Sequence, residues 1–228
     1  MEYLHNGFTL TLCEGAFPFS TDSMALSGFV KLPKQAQVLD LGSGCGTLGL
    51  LLCANDPGCT VTGIELDEKA HLTALENAKA NKIESRLSSI CADLREVHSF
   101  LTPGSFQVCV SNPPYFPAGQ ESANSTARHQ LHCDTNDLFA AAAWALQYGG
   151  DFFLVHKPER LAELCACAVN HKLQPKRLQL LRHKLSDPIC LVLLQCRKGG
   201  KPGLTIEEAY LQEADGSPSA YYRKLYHI

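Results

Sequence analysis

The sharpest chemical signal in this sequence of 228 residues is the tetrapeptide Asn112-Pro113-Pro114-Tyr115. Its two prolines fix the backbone and remove N–H donors, so the Asn112 side-chain oxygen and the Pro113 carbonyl oxygen can both accept from one incoming NH2 group. Accepting both protons draws the nitrogen lone pair out of conjugation, and Tyr115 can stack on a flat substrate group. The tetrapeptide predicts a catalytic site that activates a planar amine or amide nitrogen, with a simple Pro-Pro turn as the structural alternative.

A glycine-rich loop earlier in the chain admits two interpretations. Residues 44–49 match the dinucleotide-binding pattern GxGxxG, and Glu65 lies far enough along to bind a ribose. Residues 40–46 also form the pattern Asp-x-Gly-x-Gly-x-Gly, and no Lys or Arg occurs between residues 35 and 68. Asp40 would repel a pyrophosphate, whereas S-adenosylmethionine carries a sulfonium and an ammonium group and no phosphate. The charge pattern therefore favours the methyl donor over a dinucleotide.

Two further acids end predicted strands. Glu65 can accept hydrogen bonds from both vicinal hydroxyls of a ribose, a pairing that a carboxylate makes well. Asp93, in the sequence CADL, could accept from the adenine amino group of the same donor. An Asp that follows a strand is also a common turn residue, so both interpretations of Asp93 stay open.

Strands and helices alternate along the chain and would position these residues. Strands are predicted over residues 37–41, 60–65, 87–92, 106–111 and from residue 151, with helices over 47–54, 70–78, 138–147 and 159–171. Repetition of strand, helix and strand predicts a parallel sheet with helices on both faces. Ligands bind at the carboxyl ends of the strands in such a sheet, where the tetrapeptide and the acids fall.

The later strand-like segments, residues 176–182 and 189–196, are close enough in sequence to form an antiparallel hairpin. The expected fold class is therefore α/β and Rossmann-like, with a mostly parallel sheet of seven strands, the last antiparallel, and helices on both faces. We expect a single domain that comprises an extension over residues 1–36 covering the cofactor site, a core over 37–200 and a tail over 201–228.

Composition bounds the class of protein. A chain that is 45% hydrophobic and 19% charged has enough apolar material for a core, which excludes disorder. The sequence shows no export signal and no apolar run long enough to span a membrane. Its eleven cysteines are scattered without a CxxC pair or a ligand cluster, so we expect a cytoplasmic protein with mostly reduced thiols and no metal.

At this point the chain resembles a known family. The strings DLGSGCGTLGL, GIELD, CADL and NPPY, in that order and on those strand ends, resemble class I S-adenosylmethionine-dependent methyltransferases that modify amino groups. Within that branch, PFSTDSMALSGF before the glycine-rich loop and ARHQ after NPPY are similar to bacterial enzymes that methylate adenine N6 in a valine tRNA, at the adenosine just 3′ of the anticodon. The resemblance covers most of the chain.

The resemblance implies a role for each matching residue. The methionine part of the donor would be held by Asp40, Gly42, Gly44 and Gly46, its ribose by Glu65 and its adenine by Asp93. The segment around Thr21 would cover the donor, and Asn112 to Tyr115 would hold the target base, with Asn112 also contacting the donor. Arg128 and His129 could contact the RNA backbone, although a solvated loop fits them equally well.

We therefore predict methyl transfer from S-adenosylmethionine to the exocyclic N6 amine of adenine in tRNA, by a monomer without membrane or metal partners. The basic stretch over residues 172–201 could bind phosphates or protect a sheet edge, and the net charge of −3 does not by itself favour RNA.

Three other functions compete with this prediction. Methylation of glutamine in peptide release factors uses the same chemistry, because a carboxamide presents the same planar NH2 group. Those enzymes carry a larger helical domain before the glycine-rich loop, where this chain has only the extension over residues 1–36, so it resembles them less. The intact NPPY motif disfavours a binding module without activity. The absence of basic residues near Asp40 disfavours a Rossmann oxidoreductase.

Overall fold

The structure is a computed structural model that describes residues 1–114 and 134–228. Its strands are β1 (Glu2–Tyr3), β2 (Thr9–Leu10), β3 (Gln37–Leu41), β4 (Thr60–Glu65), β5 (Leu87–Cys91), β6 (Phe106–Ser111), β7 (Leu146–His156), β8 (Leu173–Lys184), β9 (Ile189–Lys198) and β10 (Thr205–Gln212). Its helices are α1 (Thr21–Phe29), α2 (Thr47–Asn55), α3 (Glu68–Ala80), α4 (Val97–Phe100), α5 (Thr135–Ala145), α6 (Leu161–Asn170) and α7 (Ala220–Tyr226).

The main sheet has the strand order β10-β8-β9-β7-β6-β3-β4-β5. Strands β3 to β7 are mutually parallel, and β9 is antiparallel to both of its neighbours, β7 and β8. The chain runs outward from β3 through β4 to β5 and then returns to place β6 on the other side of β3. This reversal of strand order opens a crevice at the carboxyl ends of β3 and β6, which is where open α/β sheets bind ligands.

The predicted α/β class is confirmed, and the strand count is corrected from seven to eight. The additional strand, β10, comes from the segment that the sequence analysis treats as a tail, and it pairs in parallel with β8. The hairpin of β8 and β9 is present, but β10 covers its outer edge. Glu207 and Glu208 of β10 lie 3.8 and 3.6 Å from Arg177 and Arg182 of β8. Charge pairing thus contributes to a strand whose apolar pattern is weak.

Alternate residues of each strand point to opposite faces of the sheet. Both faces are buried because helices pack on each of them. On β3, Val38 joins the core beneath α1, α2 and α7, whereas Leu39 joins the core beneath α5 and α6. Phe153 of β7 meets Phe29 edge-on in the first core, and its neighbour Phe152 meets Phe139 edge-on in the second. Two apolar layers therefore fix the sheet rigidly enough to hold a site at its edge.

Local capping sets where the helices begin. Asp67 caps α3 as predicted, since its carboxylate accepts from the Ala70 N–H at 2.9 Å. Helix α5 begins at Thr135 rather than at the predicted residue 138, because Asp134 and Asp137 form a capping box at its start.

Helix α7 packs against α1, although almost the whole chain separates them. A Cβ at Gly28 would lie 2.7 Å from the Leu225 Cδ1 atom, so a larger residue there would require the Leu225 side chain to shift. The Thr21 hydroxyl lies 3.3 Å from the Tyr226 hydroxyl, within hydrogen-bonding distance. The predicted extension and tail therefore meet on one face of the sheet. In the described part of the chain, no helix has the length and apolar character that crossing a bilayer requires.

Candidate active site

The glycine-rich loop turns sharply between β3 and α2. Gly42, Gly44 and Gly46 all have left-handed backbones, with φ of +72°, +53° and +79°. The N–H groups of Gly42 and Ser43 both donate to the Ile64 carbonyl of β4, at 2.9 and 3.0 Å. A side chain at Gly63 would lie 2.4 Å from the Ser43 Oγ atom, so the bare strand at that position lets the loop cross over β4.

Helix α2 packs directly on the sheet behind this loop. A Cβ atom at Gly49 would lie 2.7 Å from the Leu87 side chain, so the last glycine of the pattern permits the close approach of helix and strand. By contrast, apart from the two adjacent residues, no described residue comes within 4 Å of a Cβ built at Gly42 or Gly44. The loop is tight towards the protein and open on the side where a ligand would lie.

Glu65 ties the loop to the neighbouring strand. Its Oε2 atom accepts from the Gly44 N–H at 2.7 Å, and its Oε1 atom accepts from the Asp67 N–H at 2.9 Å. Glu65, which is predicted to bind the ribose of the donor, therefore lies beside the glycine-rich loop. Its carboxylate already fixes the loop and the start of α3, and it retains lone pairs for hydroxyl donors.

Asp40 is the most unusual charge in the molecule. Its side chain is only 2% exposed, and its Oδ2 atom has no hydrogen-bond partner within residues 1–114 and 134–228. Burial, together with the nearby negative charge of Glu65, raises the pKa of Asp40 to about 7, against which the Gly49 N–H acts by donating to the carboxylate. A buried carboxylate with an unsatisfied oxygen suits a ligand that carries positive charge.

Asp93 forms a turn and an ion pair in the structure. Its carboxylate accepts from the Arg95 backbone N–H at 2.9 Å and pairs with the Arg95 guanidinium. Hydrogen bonding from that guanidinium holds the pKa of Asp93 below its ordinary value. Any adenine amino group would share the carboxylate with Arg95, so the adenine contact stays a prediction.

Asn112 follows β6 at the same edge of the sheet. Ser111, the last residue of β6, is fully buried and donates from its hydroxyl to the Leu41 carbonyl at 2.8 Å, which ties the end of β6 to β3. Asn112 and Pro113 are partly buried and Pro114 is exposed. The Asn112 Nδ2 atom donates to the Ser23 Oγ atom of α1 at 2.9 Å. Tyr115, Arg128 and His129 lie outside the described residues.

The structure thus brings together three elements of the predicted site, namely the glycine-rich loop with Asp40, Glu65 at the end of β4, and Asn112 after β6. Thr21 begins α1, the helix that contacts Asn112, but its hydroxyl is engaged by Tyr226 of α7. The donor-covering role predicted for Thr21 therefore stays a prediction.

Sequence reasoning missed Asn77, which links the extension to the glycine-rich loop. This residue of α3 is 2% exposed, and its amide accepts from the Thr11 N–H and donates to the Thr11 and Cys45 carbonyls, all at 2.8 to 2.9 Å. One turn on, Asn81 accepts from and donates to the backbone of Thr9. The sequence signal for Asn77 was a polar residue next to the apolar face of α3.

Cys45 places a thiol within the loop itself. Its Sγ atom lies 3.6 Å from the Sγ atom of Cys13, and both thiols are free. Burial is the main cause that raises the pKa of Cys45 to about 11. The thiol is therefore protonated at neutral pH and acts as a small packing group rather than as a nucleophile.

Several basic side chains of residues 172–201 make contacts within the protein. Arg177 and Arg182 face acids of β10, and Arg197 pairs with Asp151 at 2.8 Å. Three lysines donate to backbone carbonyls, namely Lys176, Lys184 and Lys198. These contacts favour the interpretation of the stretch as sheet-edge structure over that of a phosphate-binding surface.

Comparison with known proteins agrees with this architecture. The family model described as "methyltransferase small domain" matches residues 21–166. A tRNA1(Val) (adenine(37)-N6)-methyltransferase of Aeromonas hydrophila is 30% identical to this chain over 92% of its length and 89% of the relative. A protein of the same name from Bacteroides fragilis is 28% identical over 79% of this chain and 77% of the relative.

Solved structures show the same fold. A crystal structure titled as a predicted O-methyltransferase from Agrobacterium tumefaciens aligns with a TM-score of 0.76 at 20% identity, covering 90% of this chain and 95% of that one. Geranyl diphosphate C-methyltransferase from Streptomyces coelicolor, solved with S-adenosyl-L-homocysteine, aligns with a TM-score of 0.57 at 12% identity, covering 78% of each chain.

The strand order, the glycine-rich loop and the matching family model together define a class I S-adenosylmethionine-dependent methyltransferase. Within that class, the chain belongs to the methyltransferase small domain family.

Proposed function

We propose that this protein transfers a methyl group from S-adenosylmethionine to the exocyclic N6 amine of adenine in tRNA, at adenosine 37 beside the anticodon. The observation that carries the proposal is the placement of Asn112 and Pro113 at the end of β6, beside the glycine-rich loop. The names of the relatives from Aeromonas hydrophila and Bacteroides fragilis support the same substrate.

The described residues fit this donor. The unsatisfied, buried oxygen of Asp40 suits its cationic methionine part, and the open space beside Gly42 and Gly44 can receive it without a clash. Glu65, at the same edge, would accept from the ribose hydroxyls. When bound, S-adenosylmethionine supplies an electrophilic methyl group.

Asn112 and Pro113 prepare the acceptor. The Asn112 Oδ1 atom and the Pro113 carbonyl oxygen would each accept a hydrogen bond from the amine NH2 group and so pull the nitrogen lone pair out of conjugation with the adenine ring. The adenine must leave its stack to reach them. As the nitrogen bonds to the methyl carbon, the bond from that carbon to the donor sulfur would break and S-adenosylhomocysteine would leave. The amine proton becomes acidic only in that step and would pass to water, so the site needs no strong dedicated base.

A methylation assay tests the proposal. We would offer labelled S-adenosylmethionine with total tRNA and, separately, total protein from cells that lack this gene, followed by nucleoside mass analysis. We expect label in tRNA as N6-methyladenosine, and mass analysis of nuclease fragments should place it in the fragment that contains position 37. Label confined to protein would contradict the proposal and favour glutamine methylation, in which Asn112 and Pro113 would receive a carboxamide NH2 group.

Asn112→Ala tests the role of the tetrapeptide in the same assay. We expect the variant to bind S-adenosylmethionine with an affinity close to that of the wild type. Its transfer rate should fall at least about 100-fold, because both the orientation and the activation of the amine depend on the amide oxygen of Asn112. Asn170→Ala is the matched control, because this exposed asparagine ends α6 near the opposite edge of the sheet. Methylation by Asn112→Ala at the wild-type rate would refute the assigned role.

A further inference from the structure

We infer that Ser23 is a positioning residue for methyl transfer, because its hydroxyl holds the Asn112 amide in the orientation that the acceptor amine requires. The inference rests on the proposed function in one respect, namely that the acceptor is a planar NH2 group. The Ser23 Oγ atom lies 2.9 Å from the Asn112 Nδ2 atom, and 89 residues separate the two in sequence.

The chemistry of the acceptor determines which way the amide must face. An NH2 group offers only donors to the site while it is being activated, so Asn112 must present its oxygen to the substrate. Its own NH2 group then needs an acceptor on the other side, in a place that is partly buried. The Ser23 hydroxyl accepts from this NH2 group and so favours the amide orientation that presents the oxygen to the substrate.

Ser23 is held firmly enough to do this. It is 7% exposed and lies in the first turn of α1. Contacts near both ends of the helix restrict its movement, since Thr21 meets Tyr226 of α7 and the Phe29 carbonyl accepts from the Arg177 guanidinium at 2.8 Å. The hydroxyl therefore presents a fixed acceptor to the loop that carries Asn112.

The same helix offers a matched control. Ser27 lies one turn further along α1 and is 6% exposed, but its hydroxyl donates to the Met24 carbonyl within the helix. Ser23→Ala and Ser27→Ala therefore remove the same atoms from similar surroundings on one helix. Only the first change removes a contact to the site.

The experiment compares these two variants by steady-state methylation of whichever substrate the wild type modifies. We expect Ser23→Ala to lower kcat by roughly 10- to 100-fold while the KM for S-adenosylmethionine changes by less than about twofold, and Ser27→Ala to leave both unchanged. Ser23→Thr keeps the hydroxyl, and we expect it to recover most of the lost rate.

A double-mutant cycle separates positioning from a general loss of structure. Single-turnover rates with excess enzyme would be measured for Ser23→Ala in the wild-type and Asn112→Ala backgrounds. If Ser23 acts through Asn112, its loss has no further effect once the amide is gone. An equal fold-loss in both backgrounds, or a kcat of Ser23→Ala within twofold of that of Ser27→Ala, would overturn the inference.

Two remaining outcomes are also decisive. If Ser23→Ala fails to fold while Ser23→Thr folds but remains as inactive as Asn112→Ala, the hydroxyl does not suffice and the inference fails. If the wild type methylates neither tRNA nor protein, the proposed function fails instead. Methylation of a protein glutamine would remove the tRNA proposal and leave the role of Ser23 to be judged by the same cycle.

Discussion

Replacing Asp40 with Asn is expected to stabilise the protein and weaken its binding of the donor. Burial raises the pKa of Asp40 from an ordinary value of 3.8 to about 7. Between pH 3.8 and 7 the unfolded chain loses a proton that the folded chain keeps, so folding becomes less favourable as pH rises through this interval. Above pH 7 the penalty reaches an upper limit of roughly 4 kcal/mol.

Asn has the shape of Asp but no charge, so it removes this penalty. At pH 5, roughly 1.6 kcal/mol of this penalty is already present, because the unfolded carboxyl group is mostly ionised while the folded Asp40 carboxyl group is mostly neutral. At pH 8 we expect Asp40→Asn to be more stable by about 2 to 4 kcal/mol, measured by urea unfolding without donor. Affinity for S-adenosylmethionine, measured by calorimetry at pH 8, should fall about 10-fold or more because a carboxylate no longer faces the cation.

Asp67→Asn is the matched control. Its carboxylate is exposed, and Asn caps helices about as well as Asp does. The stability difference between Asp67→Asn and the wild type should therefore vary little between pH 5 and 8. A stability difference for Asp40→Asn that is equally small, or unfavourable, at both pH values would refute the view that the ionised carboxylate is held at a cost to the fold.

Two further predictions concern the supports of the glycine-rich loop. Asn77→Ala removes three hydrogen bonds of a buried side chain and should lower the free energy of unfolding by about 3 kcal/mol and weaken donor affinity, whereas Asn81→Ala should lower stability alone. Equal donor affinities of these two variants in calorimetry would contradict the link from Asn77 to the loop. In native protein at pH 7.5, iodoacetamide should modify the exposed Cys91 and spare Cys45, whose pKa of about 11 keeps it protonated. Rapid labelling of Cys45 in peptide mass analysis would show that the loop opens.

The parts of the fold that sequence could predict are those with a local signal. Apolar runs such as those of β3 and β6 are short and continuous, and they are bounded by glycine or proline. The α/β class follows from their alternation with helices and is confirmed. Strand β10 has no such signal, because Glu207 and Glu208 give it a polar sequence and their partners lie on β8, far away in the chain.

The candidate site residues that sequence could predict are likewise those that lie in local motifs. Asp40, Glu65 and Asn112 lie at strand ends within short motifs, and the structure brings them to one edge of the sheet. Sequence alone did not predict the roles of Ser23 and Asn77. The partner of Ser23 is 89 residues away in sequence, and the partners of Asn77 are 66 and 32 residues away. Serine and asparagine are ordinary helix residues until the tertiary fold places a backbone or an amide beside them.

The packing of α7 against α1 also sets an order in time. A growing chain is made from its amino end, and the strands that carry Asp40, Glu65 and Asn112 are complete once residue 112 has been made. Helix α1 is synthesised before any of them, yet its partners Leu225 and Tyr226 come more than a hundred residues later. During synthesis, α1 is therefore made before the donor loop, but its packing against α7 can form only after the strands around that loop have been completed.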